Sequence, residues 1–185
     1  MTTLSFTLFV NGAYGAGKTA VLDHLGTLLA AAQQPFSLMD VDWFHRSWPV
    51  AADDPDNTAT EARNIAAVWA NYRQTGPRQL VLSGVLADRQ DVERYERAVG
   101  QPVRSARLVA SPDTLEARLR LRYGSDRPDE LRWHLERSAD LQARQDGADL
   151  DELVVVTDDQ PSAQVARIVL EHFLPEVLLG TVPTR

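Results

Sequence analysis

Residues 12–19, Gly12-Ala13-Tyr14-Gly15-Ala16-Gly17-Lys18-Thr19, spell G-x-x-x-x-G-K-T. This pattern works only where an apolar strand runs into it and a helix starts from it. Both are present in the sequence. Leu4 to Val10 predicts a buried strand, and Ala20 to Leu29 carries apolar residues at helical spacing. Gly12, Gly15 and Gly17 let the backbone turn tightly and leave no Cβ between the chain and an anion. The successive N–H groups of the loop, through Ala13, Tyr14 and Ala16, then form a concave anion site at the positive end of the following helix. The stretch is therefore expected to bind the phosphates of a nucleotide.

Lys18 and Thr19 supply the chemistry of such a loop. Lys18 would reach the β- and γ-phosphates, and the Thr19 hydroxyl would bind Mg²⁺. Lys18 is the only lysine among 19 basic residues; the rest are arginines. It stands where a flexible point charge is needed and a planar guanidinium would not substitute.

The chain of 185 residues is expected to be a single domain, 1–185, able to bury a substantial core. A net charge of -7 argues against nucleic acid as a partner. The absence of cysteine excludes disulfides and thiolate metal sites. No signal-peptide pattern and no bilayer-length apolar run occur, so a cytoplasmic protein without membrane association, monomeric or homodimeric, is the expectation.

Beyond the loop, strands alternate with helices. Phe36 to Met39 predicts a second strand that runs into Asp40-Val41-Asp42, at the usual ligand edge of an open α/β sheet. Trp43 to Asn57 has loop chemistry, with Pro49, Pro55 and the cluster from Asp53 to Asn57. Thr58 or Thr60 can cap a helix whose inward face includes Ile65, Val68, Trp69 and Tyr72 and which Gly76-Pro77 stops. Gln79 to Val85 predicts a third strand, apolar on both faces as in a parallel sheet. Asp88 to Val99 predicts a charged surface helix and Val103 to Ala110 a fourth strand. Ser111 and Pro112 cap and open the next helix, Tyr123 to Pro128 interrupts it, and Asp129 to Arg144 resumes it. Leu153 to Thr157 is a fifth strand and Pro161 to Leu174 a closing helix; the tail to Arg185 carries no clear signal. The pattern implies a parallel sheet with helices on both faces.

Three further groups carry candidate chemistry. Asp40 and Asp42, two apart on an expected strand, would point the same way. Asp40 would orient Mg²⁺ and Asp42 would accept the proton of an attacking hydroxyl. Arg120 and Arg127 flank Gly124, where a mobile segment would close guanidiniums over a triphosphate. His45 and Arg46, with Trp48, follow the acidic pair where an acceptor would sit. Ser83-Gly84 ends the central strand and leaves room for it. No aspartate follows Leu80-Val81-Leu82, unlike the acidic strand end of motor-type ATPases.

Taken with these spacings, the chain resembles the P-loop small-molecule kinases, especially the shikimate-kinase and gluconate-kinase type. Asp40-Val41-Asp42 is similar to that group's D-x-D, and Arg120 with Arg127-Pro128 has the spacing of its lid arginines. Leu153 to Asp158, followed by Ser162 and Val165, looks like its last strand and helix, where the adenine side is built. The stretch from Asp42 to Pro49 is similar to one in chloramphenicol phosphotransferase and the zeta-toxin kinases. Val10 to Thr19, with Leu108 to Ser111 and Leu115 to Arg122, looks like the tunicamycin-resistance ATP-binding protein. The glycine run that holds shikimate is reduced here to Ser83-Gly84-Val85. The resemblance implies a P-loop NTPase-type three-layer α/β fold, with a five-stranded parallel sheet in the order 2-3-1-4-5 and an arginine-bearing lid at about 120–130. It implies an ATP- and Mg²⁺-dependent phosphotransferase acting on a hydroxyl of a small molecule. The alternative expectation is a nucleotide-binding antibiotic-resistance or regulatory ATPase without a small-molecule acceptor.

Overall fold

A computed structural model describes residues 6–179. Leu4 and Ser5 of the expected first strand, and the tail beyond Leu179, lie outside the described residues.

Five strands form one all-parallel sheet: β1 (Thr7–Gly12), β2 (Phe36–Asp40), β3 (Gln79–Ser83), β4 (Val103–Val109) and β5 (Leu153–Val156), in the order β2-β3-β1-β4-β5. The two central strands, β1 and β3, are buried at every position. That is why their sequences are continuous apolar runs and not alternating ones.

Successive β1 side chains point to opposite faces and divide the core. Leu8 and Val10 pack with Val21, Leu22, Leu25 and Leu29 of α1 (Lys18–Ala31) and with Val165, Val169 and Phe173 of α6 (Ser162–Phe173). Phe9, together with Leu80 and Leu82 of β3, packs with Ile65 and Trp69 of α2 (Thr58–Arg73) and with Val92, Tyr95 and Val99 of α3 (Arg89–Val99). Two apolar helical faces on either side of one sheet give three layers. A short α7 (Pro175–Leu179), for which the sequence carried no clear signal, follows α6.

Side-chain capping sets the starts of α3 and α4. Asp88 accepts the N–H groups of Gln90 and Asp91 at the start of α3, and Gly100, at φ 71°, ends it. Ser111 accepts the Thr114 N–H and Pro112 opens α4 (Pro112–Tyr123) as expected. The start of α2 differs from the expectation. Neither Thr58 nor Thr60 is its cap; Asn57 holds that position at φ 54°, and the Asp54 carboxylate accepts the N–H groups of Ala59 at 3.0 Å and Thr60 at 2.8 Å. Each oxygen of the buried carboxylate takes one orphan donor of the helix start. Trp69 is core as expected, its Nε1 donating to the Val99 carbonyl, whereas Tyr72 is 40% exposed.

After β2 the chain does not stay extended. Asp40 Oδ1 accepts the Asp42 N–H at 3.2 Å and caps a 3₁₀ turn, Val41–Trp43. Asp42 is therefore on a turn, and period-two alternation does not set its direction. The same turn drives Val41 into the sheet. A Cβ on Gly84 would lie 2.2 Å from a Val41 methyl, so Gly84 makes room for Val41 and not for a bound acceptor. β3 ends at Ser83, which is paired in register with Asp40 and 1% exposed.

Candidate active site

Helix α1 begins at Lys18, directly after the glycine loop, so its N–H groups face the space above the sheet's C-terminal edge. Gly12 adopts φ 148°, and a Cβ there would lie 2.6 Å from the Leu108 carbonyl oxygen. Only glycine lets the loop leave β1 this close to β4. Lys18 Nζ donates to the carbonyls of Gly12 (2.9 Å) and Ala13 (3.1 Å), which folds its side chain back over the loop. Burial lowers the Lys18 pKa, and the nearby Asp42 and Asp40 carboxylates oppose that shift. A phosphate at the loop would replace those carbonyls as the partner of the ammonium.

Thr19 Oγ1 donates to Asp40 Oδ2 at 3.1 Å. Two hard oxygen donors thus meet at the mouth of the loop. Among the described residues no three acidic or histidine side chains cluster to hold a metal by themselves. That donor set fits Mg²⁺, which takes one or two protein oxygens and completes its shell with phosphate oxygens and water.

These groups line one cleft of about 460 Å³. Tyr14, Gly15, Gly17, Lys18 and Thr19 come from the loop, and Asp40, Asp42 and Arg46 from the end of β2 and the turn after it. The opposite bank comes from α4 and from α5 (Pro128–Ala148): Arg118, Leu119, Arg122, Tyr123, Arg127, Glu130 and His134. Arg46 lies 4.6 Å over the Trp43 ring and Arg127 lies 4.8 Å over Tyr123. Stacking orients both guanidiniums, and Arg127 also donates through Nη2 to the Arg122 carbonyl at 3.1 Å. Tyr14 packs edge-on against Trp133 and His134, and burial, reinforced by Asp42, raises its phenol pKa.

Of the residues singled out in the sequence, the structure brings Tyr14, Gly15, Gly17, Lys18, Thr19, Asp40, Asp42, Arg46 and Arg127 to this cleft. Gly12, Ala13 and Ala16 lie buried within the loop. Four others lie elsewhere. Arg120 is bound to Glu116 one turn away, with its side chain 59% exposed. His45 Nδ1 sits 2.8 Å from Glu61 Oε2, while Tyr95 donates to the other oxygen of the same buried carboxylate at 2.7 Å. Ser83 is buried beside Asp40 in the sheet, and Gly84 lies against Val41, as described above.

The α4 arginines at the cleft are Arg118 and Arg122 and not Arg120, and the helical period of the sequence carries the signal for them. At about 100° per residue, Arg118 and Arg122 fall on the side of α4 that carries Leu115 and Leu119, and Arg120 falls near the opposite side. Arg118 donates to the Thr157 carbonyl at 2.6 Å and to its hydroxyl at 3.0 Å, so it ties α4 to the segment after β5. Glu130, His134 and Tyr123 gave no such signal.

No protein-family model matches this sequence, and no curated protein is detectably similar to it. Solved structures do match. A gluconokinase from Sinorhizobium meliloti superposes with a TM-score of 0.61 at 19% identity, covering 96% of this chain and 97% of that one. A tunicamycin resistance protein from Deinococcus radiodurans reaches 0.65 at 17% identity, covering 91% and 95%. A shikimate kinase from Acinetobacter baumannii, in complex with shikimate, reaches 0.58 at 19%, covering 94% and 95%. The chain carries the fold of the P-loop small-molecule kinases.

Proposed function

We propose that this chain is an ATP- and Mg²⁺-dependent phosphotransferase that acts on a hydroxyl of a small molecule. The carrying observation is the convergence, in one cleft, of Lys18, the bonded Thr19–Asp40 pair and Asp42. In this reading residues 1–185 form a single cytoplasmic kinase domain with a lid around 120–130. The loop N–H groups and Lys18 hold the β- and γ-phosphates, and Thr19 with Asp40 holds the metal, which would neutralise charge on the transferring group. Asp42 accepts the acceptor's proton, and Arg127, with Arg118 and Arg122, faces the charge that develops on the phosphoryl oxygens. Arg46 lies where it can contact the acceptor.

Lys18→Ala tests the reading directly. Nucleotide titration of that variant is expected to show weakened ATP–Mg²⁺ binding, and turnover should fall at least 10²-fold, on the order seen when a charge-stabilising donor is lost. Unchanged binding and turnover would reject the phosphate-loop assignment.

The lid arginines separate by geometry. Arg127→Ala is expected to lower turnover by about 10-fold or more with a smaller effect on nucleotide affinity, because its main contact forms in the transition state. Arg120→Ala should leave both constants near those of the parent, since it removes an exposed pair with Glu116. The opposite ranking in steady-state kinetics would restore Arg120 to the lid.

The likeness to the tunicamycin resistance protein supports a second reading, a nucleotide-binding resistance protein without a small acceptor. The two part on one measurement: whether nucleotide turnover rises when hydroxylated metabolites or antibiotics are added.

A further inference from the structure

The chain has four tryptophans, and only Trp69 is core. The other three are exposed on the segments that form the two banks of the phosphate cleft, and none of them lines it. Trp43 is 69% exposed and Trp48 90% exposed, on the turn and loop that also carry Asp42 and Arg46. Trp133 belongs to the opposite bank, on α5. Its ring packs 5.5 Å from Tyr14 and 4.8 Å from His134, which both line the cleft.

The loop does not hold its indoles out by being slack. Asn57 donates to the carbonyls of His45 at 2.8 Å and Ser47 at 3.0 Å, and Asn64 donates to the Phe44 carbonyl at 2.8 Å. The backbone between Trp43 and Trp48 is thus tied to the start of α2, while Trp48 makes no hydrogen bond or ring contact among the described residues. An apolar surface fixed in advance loses little further freedom when a ligand covers it. Charge narrows what the ligand is. Arg46 lies over Trp43, and Arg137 lies 4.5 Å over Trp133, so a cationic group would meet like charge at both rings. The net charge of -7, with exposed Asp53 and Asp56 shortly after Trp48, opposes an anionic lipid surface. A neutral ring meets neither obstacle and suits the free indole of Trp48.

We infer that the phosphoryl acceptor carries a neutral aromatic ring beside its reacting hydroxyl, and that Trp48 and Trp43 hold this ring outside the cleft while the hydroxyl reaches Asp42. This rests on the phosphotransferase reading above and names its substrate class. The hydroxyl oxygen forms a bond to the γ-phosphorus as the bond from that phosphorus to the β–γ bridging oxygen breaks. ADP leaves with the electron pair, and the hydroxyl proton passes to Asp42. The ring takes no part in these bonds; it adds binding from a part of the substrate remote from the reaction. A compact polyol would lie within the cleft and leave the indoles uncovered.

The test uses the intact protein with Mg²⁺ and a non-hydrolysable ATP analogue, titrated by calorimetry with two matched pairs: phenyl and methyl β-D-glucoside, and 1-phenyl-1,2-ethanediol and 1,2-propanediol. The phenyl member of each pair should bind about 10-fold more tightly than its methyl partner. With ATP in place of the analogue, a phenyl member should raise ADP release. Trp48→Ala should weaken phenyl binding to the methyl value, and Trp48→Phe, which keeps a ring there, should restore most of it. Equal affinities within both pairs, tight phenyl binding that leaves ADP release unchanged, or tight phenyl binding that survives Trp48→Ala would overturn this assignment alone. So would a blue shift of tryptophan emission on neutral phosphatidylcholine vesicles, or on raising the protein concentration, which would give the indoles to a membrane or to a second copy. Failure of the ATP analogue to bind would overturn the phosphotransferase reading and this one with it.

Discussion

Asp42→Asn is expected to lower phosphoryl transfer by roughly 10²–10⁴-fold while nucleotide binding survives. The Asp42 carboxylate faces the cleft and makes no hydrogen bond or ion pair among the described residues, so it is free to accept a proton. Its backbone N–H, held by Asp40, keeps the turn in place whatever the side chain. Asparagine preserves that shape and removes the base. Asp40→Asn should act differently, because its carboxylate meets the Thr19 hydroxyl: there the concentration of Mg²⁺ needed for activity should rise. The measurement is turnover with an acceptor found by screening, beside an ATP titration of each variant. Full transfer by Asp42→Asn would reduce Asp42 to a turn residue.

Asn11→Ala is expected to destabilise the fold by about 4 kcal/mol, near the upper end for one substitution. Asn11 immediately precedes the loop and is fully buried. Its carbonyl accepts the N–H groups of Gly12 and Leu86 and the Gln145 amide, each at 2.8 Å. Its amide donates to the Leu86 carbonyl at 3.2 Å and to Asp151 at 3.0 Å. Truncation strands several buried polar groups at once. The loss should reach the site, because α5 carries Gln145 at one end and Arg127's neighbours Glu130 and His134 at the other. Nucleotide affinity should therefore fall along with stability.

The deficit has a pH dependence of predictable sign. Burial raises the Asp151 pKa, against the bonds from Asn11 and Ser105 and the Arg107 charge. A carboxyl raised in the folded state favours folding when protonated, and that contribution is lost as pH rises through the folded pKa. Removing the Asn11 donor raises it further. Chemical unfolding should then show the largest penalty at neutral pH and a smaller one in mild acid. A penalty that does not change with pH would detach Asp151 from the effect.

The sequence by itself determined the phosphate loop, because its glycines, lysine and threonine act through a short stretch of backbone and one helix end. It also determined the alternation of parallel strands and helices, because burial on both faces of β1 and β3 and the helical spacing of α1 and α3 are local patterns. Even Asp40 beside Thr19 followed from where a strand ends relative to the loop. Tertiary structure decided the rest. Arg120 carries the right spacing from Arg127 but pairs with Glu116 one turn away; the helical period marks Arg118 and Arg122, and the contact of Arg118 with Thr157, after β5, is what the packed fold adds. His45 lies three residues from Asp42, yet the buried Glu61, sixteen residues on, is what holds it. Gly84 looked like room for a substrate until Val41, folded in by the Asp40-capped turn, occupied that space. Asn11 gains its importance from Leu86, Gln145 and Asp151, the last of them 140 residues away. The placements of His45, Gly84 and Asn11 each depend on groups distant in sequence meeting at van der Waals or hydrogen-bond range, and only the packed fold brings them together.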